Sequence, residues 1–161
     1  MRLDVAAARQ RFADSDVARL ATVTPSGRPH VVPVTFVLDG DRIYSAVDAK
    51  PKTTTRLQRI RNIGADPRVS VLADHYAQDW TRLWWVRADG HALLLEAPGE
   101  MVGPLSLLAE RYPQYREQPP AGPVIRIQVG RWTGWAAAAP GSSGAAVSGT
   151  EGARSRDEPD L

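Results

Sequence analysis

Cysteine is absent from this 161-residue chain. That excludes disulfides, thiolate zinc sites and thiol nucleophiles, and agrees with a reducing compartment. Histidine is scarce: His30, His75 and His91 are the only three, and no pair has a metal-ligand spacing. No run of about 18 apolar residues occurs. The opening MRLDVAAARQRFADSD is charged throughout and has no apolar signal core. A soluble, cytoplasmic protein is the expectation. Net charge is small too. At +2, even with a pI near 9.3, it implies no general attraction to nucleic acid, so any basic function is local.

Lysine is nearly missing. Eighteen of the twenty basic residues are arginine, and both lysines stand in one tripeptide, Lys50-Pro51-Lys52. A compact, mobile ammonium matters where a rigid guanidinium does not serve. Around it runs Tyr44 to Ile63, YSAVDAKPKTTTRLQRIRNI. A strand ending at Ala46-Val47-Asp48 leads into a basic turn, then threonine hydroxyls at a helix start, then Arg56, Arg59 and Arg61. Ammoniums, hydroxyls and free helix N–H groups would converge there as an anion cradle, read as the phosphate grip of a cofactor. Arginines along a short helix are also the pattern of a solvated face, and Thr53 to Thr55 that of an ordinary N-cap.

The rest of the chain surrounds that stretch with short elements. Asp4 can cap a helix over about 4–13 with Val5, Ala8 and Phe12 on one stripe, a cover for the domain. From Val17 the period becomes two, and Pro25-Ser26-Gly27 turns the chain. His30 to Leu38 reads as a strand buried on both faces, with Pro33 requiring an edge, a bulge or a ligand contact. Asp39-Gly40-Asp41 turns into Arg42 to Val47. A helix from about Thr54 to Ile63 buries Leu57, Ile60 and Ile63 and stops at Gly64. Arg68 to Ala73 is a strand, and DHYAQDWT a polar, aromatic loop. In Trp84-Trp85-Val86-Arg87 adjacent tryptophans face opposite ways, one to the core and one outward. Ala88-Asp89-Gly90 reads as a hairpin turn with His91 to Glu96 returning. A helix from about Pro104 to Tyr112 follows, with proline in its first turn, and a last strand runs from Val124 into RWTGW. One domain over 1–136 and a disordered Ala/Gly/Ser-rich tail over 137–161 are expected. Six or seven short strands with peripheral helices predict a mainly β fold, an antiparallel barrel.

RLATVTPSGRPHVVPVTF, AVDAKPKTTTRLQRIRNI, DPRVSVL, DWTRLWWVRADGHA and RWTGW occur in this order over about Val17 to Ala136. In that order they resemble the pyridoxamine 5'-phosphate oxidase-like split β-barrel superfamily, specifically its flavin/deazaflavin oxidoreductases associated with coenzyme F420. The resemblance implies an FMN-binding type of split barrel and a homodimer with two cofactor sites at the subunit interface. It assigns the cofactor phosphate to Ala46, Val47, Asp48, Lys50, Lys52, Thr53 and Thr54, with Arg56 and Arg61 nearby. It lays the ring along Val32, Pro33, Val34 and Thr35, and draws Trp84, Trp85 and Arg87 from the partner subunit.

F420 carries a phosphate and a glutamate tail and wants a longer basic track than FMN. Lys50, Lys52, Arg56, Arg59, Arg61 and Arg68 fall within nineteen residues opposed only by Asp66, which leans toward F420. The expected activity is hydride transfer from reduced deazaflavin to an electron-poor C=C or C=N bond of a small organic substrate, with no side chain required as acid or base. His75 and Tyr76 are the candidate proton donors if one exists, although surface positions suit both. The alternatives are an FMN-dependent oxidase or reductase of the same fold, a non-catalytic cofactor-binding or heme-binding protein, and a single-strand-binding barrel. Scattered histidines speak against heme, and the separation of the basic cluster from the tryptophans against nucleic acid.

Overall fold

The computed structural model describes residues 1–47 and 57–137. Helix α1 (Val5–Ala13) starts where Asp4 accepts the Ala7 N–H at 2.8 Å. Strands β1 (Ala18–Val23) and β2 (Pro29–Val34) are joined at Gly27, whose φ of +86° suits glycine; β3 (Val37–Asp39) and β4 (Arg42–Ala46) are joined at Gly40. Helix α2 (Gln58–Ala65) leads to β5 (Arg68–His75), and a single 3-10 turn (Trp80–Arg82) to the long β6 (Trp84–Leu95). Helices α3 (Pro98–Arg111) and α4 (Gln114–Glu117) precede the thirteen-residue β7 (Val124–Ala136).

The seven strands form one sheet in the order β2-β1-β5-β6-β7-β4-β3, every neighbour antiparallel. Its two edge strands, β2 and β3, are consecutive in the chain and linked only by Thr35 and Phe36. So short a link makes the sheet curl until its edges approach, yet no ladder joins them. This is the expected mainly β fold with peripheral helices, a barrel split along one seam.

Inside lie Leu20, Val71, Val86, Ile125 and Ile127, all at most 2% exposed, and α1 closes one mouth with Phe12 against Phe36 at 4.7 Å and Trp132 at 5.2 Å. Val5 is exposed instead of packed, because the stripe that meets the sheet is Ala8 and Phe12. A second, smaller cluster sits under α3, where Leu108, Tyr44, Ala46, Leu95 and Val124 meet.

Several local readings are corrected. His30 to Leu38 is two strands, and β2 is an edge strand with Val31 60% exposed. Its proline therefore costs no ladder bond on the free side. The strand covered on both faces is β4, buried from Ile43 to Ala46 between the barrel core and the α3 cluster. Ala88-Asp89-Gly90 is no turn: β6 runs through it, and Arg131 pairs with Asp89 while Val129 pairs with Gly90, so Gly130 is the extra residue of a β-bulge. Pro104 lies inside α3, whose first turn carries Pro98 instead. Helix α2 begins at Gln58 after an extended Leu57, four residues beyond the predicted start, and ends at Ala65. Trp84 packs against the core and Trp85 faces the other way, although both are only half-buried. The tail beyond residue 137 lies outside the described residues.

Helix α2 is anchored by a polar contact. Asn62, fully buried, donates to Thr22 Oγ1 at 2.9 Å and accepts from Gln58 Nε2 at 2.6 Å. Thr22 is 2% exposed, and its other contact is a long one to His30 Nδ1 at 3.5 Å, so Asn62→Ala removes the shorter bond of a buried hydroxyl and should destabilise by about 1–3 kcal/mol. Urea unfolding of Asn62→Ala with and without Thr22→Val checks this as a double-mutant cycle. The loss should shrink in the Thr22→Val background, whereas an identical loss would show that the bond contributes nothing.

Candidate functional site

Where β2 and β4 end beside α2, a cleft of about 180 Å³ opens between Pro33, Val34 and Thr35 on one side and Ser45 and Ala46 on the other. Val17, Arg59 and Tyr115 complete its lining, in which there is no acid among the described residues. One wall is the free side of an edge strand, so its backbone groups are available to a ligand. The opposite wall is small, which lets a flat ring approach β4 closely. Arg59 brings one cation from α2, where it shares a face with Asn62 and Ile63, three and four residues on.

The seam that forms this wall is held rigidly. Thr35 Oγ1 and the Tyr115 hydroxyl are 2.8 Å apart. The Phe36 N–H donates to the Tyr112 hydroxyl at 3.1 Å, and that hydroxyl lies 2.9 Å from the carbonyl oxygens of both Asp16 and Phe36. Arg111 donates to the Ser15 carbonyl and lies over the Phe36 ring at 4.8 Å. Helices α3 and α4 thus pin the two-residue link between the sheet's edges.

Of the residues assigned from the sequence, Pro33, Val34, Thr35 and Ala46 come together in this cleft. Val32 and Val47 turn to the barrel core, and the Val47 N–H donates to the Pro123 carbonyl at 3.2 Å. Arg61 is exposed on the other side of α2, donating to Gln58 Oε1 at 2.6 Å. Arg68 forms a two-pronged pair with Asp66 at 3.0 and 2.6 Å. Those side-chain bonds, then the Arg68 N–H, hold the Asp66 carboxyl down at about 2. Asp48, Lys50, Lys52, Thr53, Thr54 and Arg56 lie outside the described residues. Trp84 lies beside His75, 6.5 Å between ring centroids. Trp85 and Arg87 belong to β6, Trp85 opposite Trp135 and Arg87 paired with Asp89 at 3.1 Å.

Val17, Ser45 and Tyr115 were not singled out by the sequence as site residues, and Arg59 was named in the anion cradle but not among the residues that the resemblance assigns. Arg59 stood in the basic track, where its helical phase against Leu57, Ile60 and Ile63 does not separate it from Arg61. Tyr115 belongs to the four-residue α4, too short to leave a periodic signal.

Among the described residues the lining holds one guanidinium and three hydroxyls and no carboxylate or imidazole. Among the described residues no three His, Cys, Asp or Glu side chains cluster as a metal site. The chemistry of this lining suits an anionic, flat molecule, and among the described residues it contains no acid–base pair. No helix among the described residues is long and apolar enough to cross a membrane.

A sequence model of the family described as pyridoxamine 5'-phosphate oxidase matches residues 5–136. No curated protein matches the chain in sequence. Among solved structures, a conserved hypothetical protein from Mycobacterium tuberculosis is similar at 23% identity and a TM-score of 0.69, covering 92% of this chain and 94% of that one. A FAD-binding protein from Mesorhizobium loti is similar at 21% identity and a TM-score of 0.65, covering 83% and 95%. The heme storage protein of Vibrio cholerae is similar at 20% identity and a TM-score of 0.63, covering 84% and 95%. At these identities the likeness establishes the fold.

Proposed function

Since this chain belongs to the pyridoxamine 5'-phosphate oxidase family, we propose that it is an oxidoreductase that holds coenzyme F420 against the seam of its split barrel. The observation that carries this reading is the convergence of Pro33 to Thr35, Ser45, Ala46 and Arg59 on one cleft that no acid lines among the described residues. Bound there, the cofactor would supply hydride to an electron-poor C=C or C=N bond of a small organic substrate. The protein's part is positional. Pro33, Val34 and Thr35 form a wall that Tyr115 keeps in place, Ser45 and Ala46 leave room for the ring, and Arg59 faces its anionic oxygens. The family resemblance gives the phosphate to Asp48, Lys50, Lys52, Thr53 and Thr54, with Arg56.

A second reading keeps the fold and binds FMN. The pairing of Arg61 with Gln58 and Arg68 with Asp66 favours it, because it shortens the basic track that F420 would use. A heme-binding role has less support, since no histidine lines the cleft to serve as an axial ligand.

A homodimer belongs to the same proposal. The outer sheet face carries exposed Val31 and Leu72 beside Arg19 and Arg87, and a second copy covering it would receive Trp85 and Arg87 at its own cleft.

The activity is tested without air, by mixing the chain and reduced F420, or reduced FMN, with a panel of activated alkenes and imines and following cofactor absorbance. Substrate-dependent reoxidation of F420 is the expected result. Substrate-dependent reoxidation of FMN alone selects the second reading; no reoxidation with either removes the enzyme.

A further inference from the structure

Beyond Val17, on the side away from the cofactor cleft, the end of α1 meets the ends of β5 and β6. There Arg11, His75, Arg82 and Trp84 line a recess of about 420 Å³, with no acid among them. It shares Arg11, His75 and Trp84 with a lobe of about 450 Å³ that Asp14, Asp16 and Asp74 border. Val17 lines both this lobe and the cofactor cleft, so the two sites are neighbours.

The cationic end is built around Trp84. Cross-strand pairing sets His75 opposite it, and the two rings are nearly parallel at 19°. The Arg11 guanidinium stands 5.6 Å from the Trp84 ring centre. Arg82 arrives on the 3-10 turn that Asp79 caps by accepting the Thr81 N–H at 3.0 Å.

The charges here are not balanced as they are elsewhere. Arg9, Arg19, Arg68 and Arg87 each meet an aspartate within 3.1 Å. Among the described residues Arg11 and Arg82 form no such pair; Asp79 attracts Arg82 without a salt-bridge contact. Asp74, the acid nearest in sequence to His75, is engaged by Arg19 at 2.6 Å. His75 also keeps a buried Nε2 with no hydrogen-bond partner among the described residues, a group that protein interiors rarely leave unsatisfied. Two guanidiniums and an imidazole around one recess that no acid lines among the described residues offer planar, forked donors of the kind that carboxylates accept.

We propose that this recess binds the carboxylate of a small planar organic acid, gripped by Arg11 and Arg82 beside His75. The aspartates of the adjoining lobe repel an anion, so the carboxylate end takes the arginine side and the rest of the molecule extends toward Val17. Its use as the substrate site rests on the function proposed above; its existence as an anion site does not.

The test is calorimetric titration of the full chain with benzoate and with benzamide, its neutral isostere, with no cofactor added. Benzoate should bind roughly tenfold or more tightly than benzamide, as expected for charge-assisted bonds. Arg11→Gln with Arg82→Gln should abolish that preference while leaving FMN or F420 affinity unchanged. Equal binding of the two probes, or of neither, overturns the proposal using the unmodified chain alone. So does benzoate binding that persists in the double variant, or that FMN displaces competitively. A chain that binds no cofactor but prefers benzoate refutes the function proposed above and leaves this site standing.

Discussion

Gly90→Ala should destabilise the protein by about 3 kcal/mol, the upper range for overpacking. A Cβ at Gly90 would stand 2.2 Å from the Gln128 carbonyl oxygen, 3.0 Å from its carbon and 3.1 Å from the Val129 Cα. All three atoms are backbone, so no side chain can swing aside. Relief requires β6 and β7 to separate at the bulge, in the ladder that joins the two longest strands. Gly103→Ala in α3 is the control, because nothing lies within 4 Å of its Cβ. There the better helix propensity of alanine should leave stability unchanged or raise it by up to about 1 kcal/mol. Urea midpoints measure both. Similar midpoints for the two variants would mean that β6 and β7 tolerate separation at the bulge.

Arg59→Ala should weaken cofactor binding by about 1.5–3 kcal/mol, or roughly 10- to 150-fold, the loss of one charge-assisted contact. Arg61→Ala should change it by less than about twofold, because Arg61 is exposed and turned to Gln58. Arg59→Lys keeps the charge without the fork and should fall between. Thermal melts of each variant separate lost binding from lost folding. Equal effects at Arg59 and Arg61 would return both to the solvated face that the sequence alone also allows.

The contrast between these arginines shows what could be read before the fold was known. The hairpins at Gly27 and Gly40 and the capping by Asp4 are local events, and each was legible from residue type and spacing. The cleft depends on where distant segments meet. Pro33 to Thr35 and Ala46 could be named from the family's strand motifs, but Tyr115 reaches Thr35 across eighty residues and carries no local mark. Helix phase was the other obstacle. Asn62 is polar and yet fully buried, because its partner Thr22 lies in β1. Without that partner in view, the face of α2 that carries Arg59 could not be told from the face that carries Arg61. The Asp89-Gly90 pair looked like a turn because a bulge and a hairpin call for the same residue, and only the approach of Gln128 distinguishes them.

The central claim is that this chain binds an isoalloxazine-type cofactor, F420 in preference to FMN, at the seam of its split barrel. Fluorescence titration of the purified chain with each cofactor, at low and at moderate salt, tests it most directly. The account predicts saturable binding of both, tighter for F420 and weakened by salt because its anionic groups meet cations. Binding of neither cofactor would contradict the claim and leave the family and its fold.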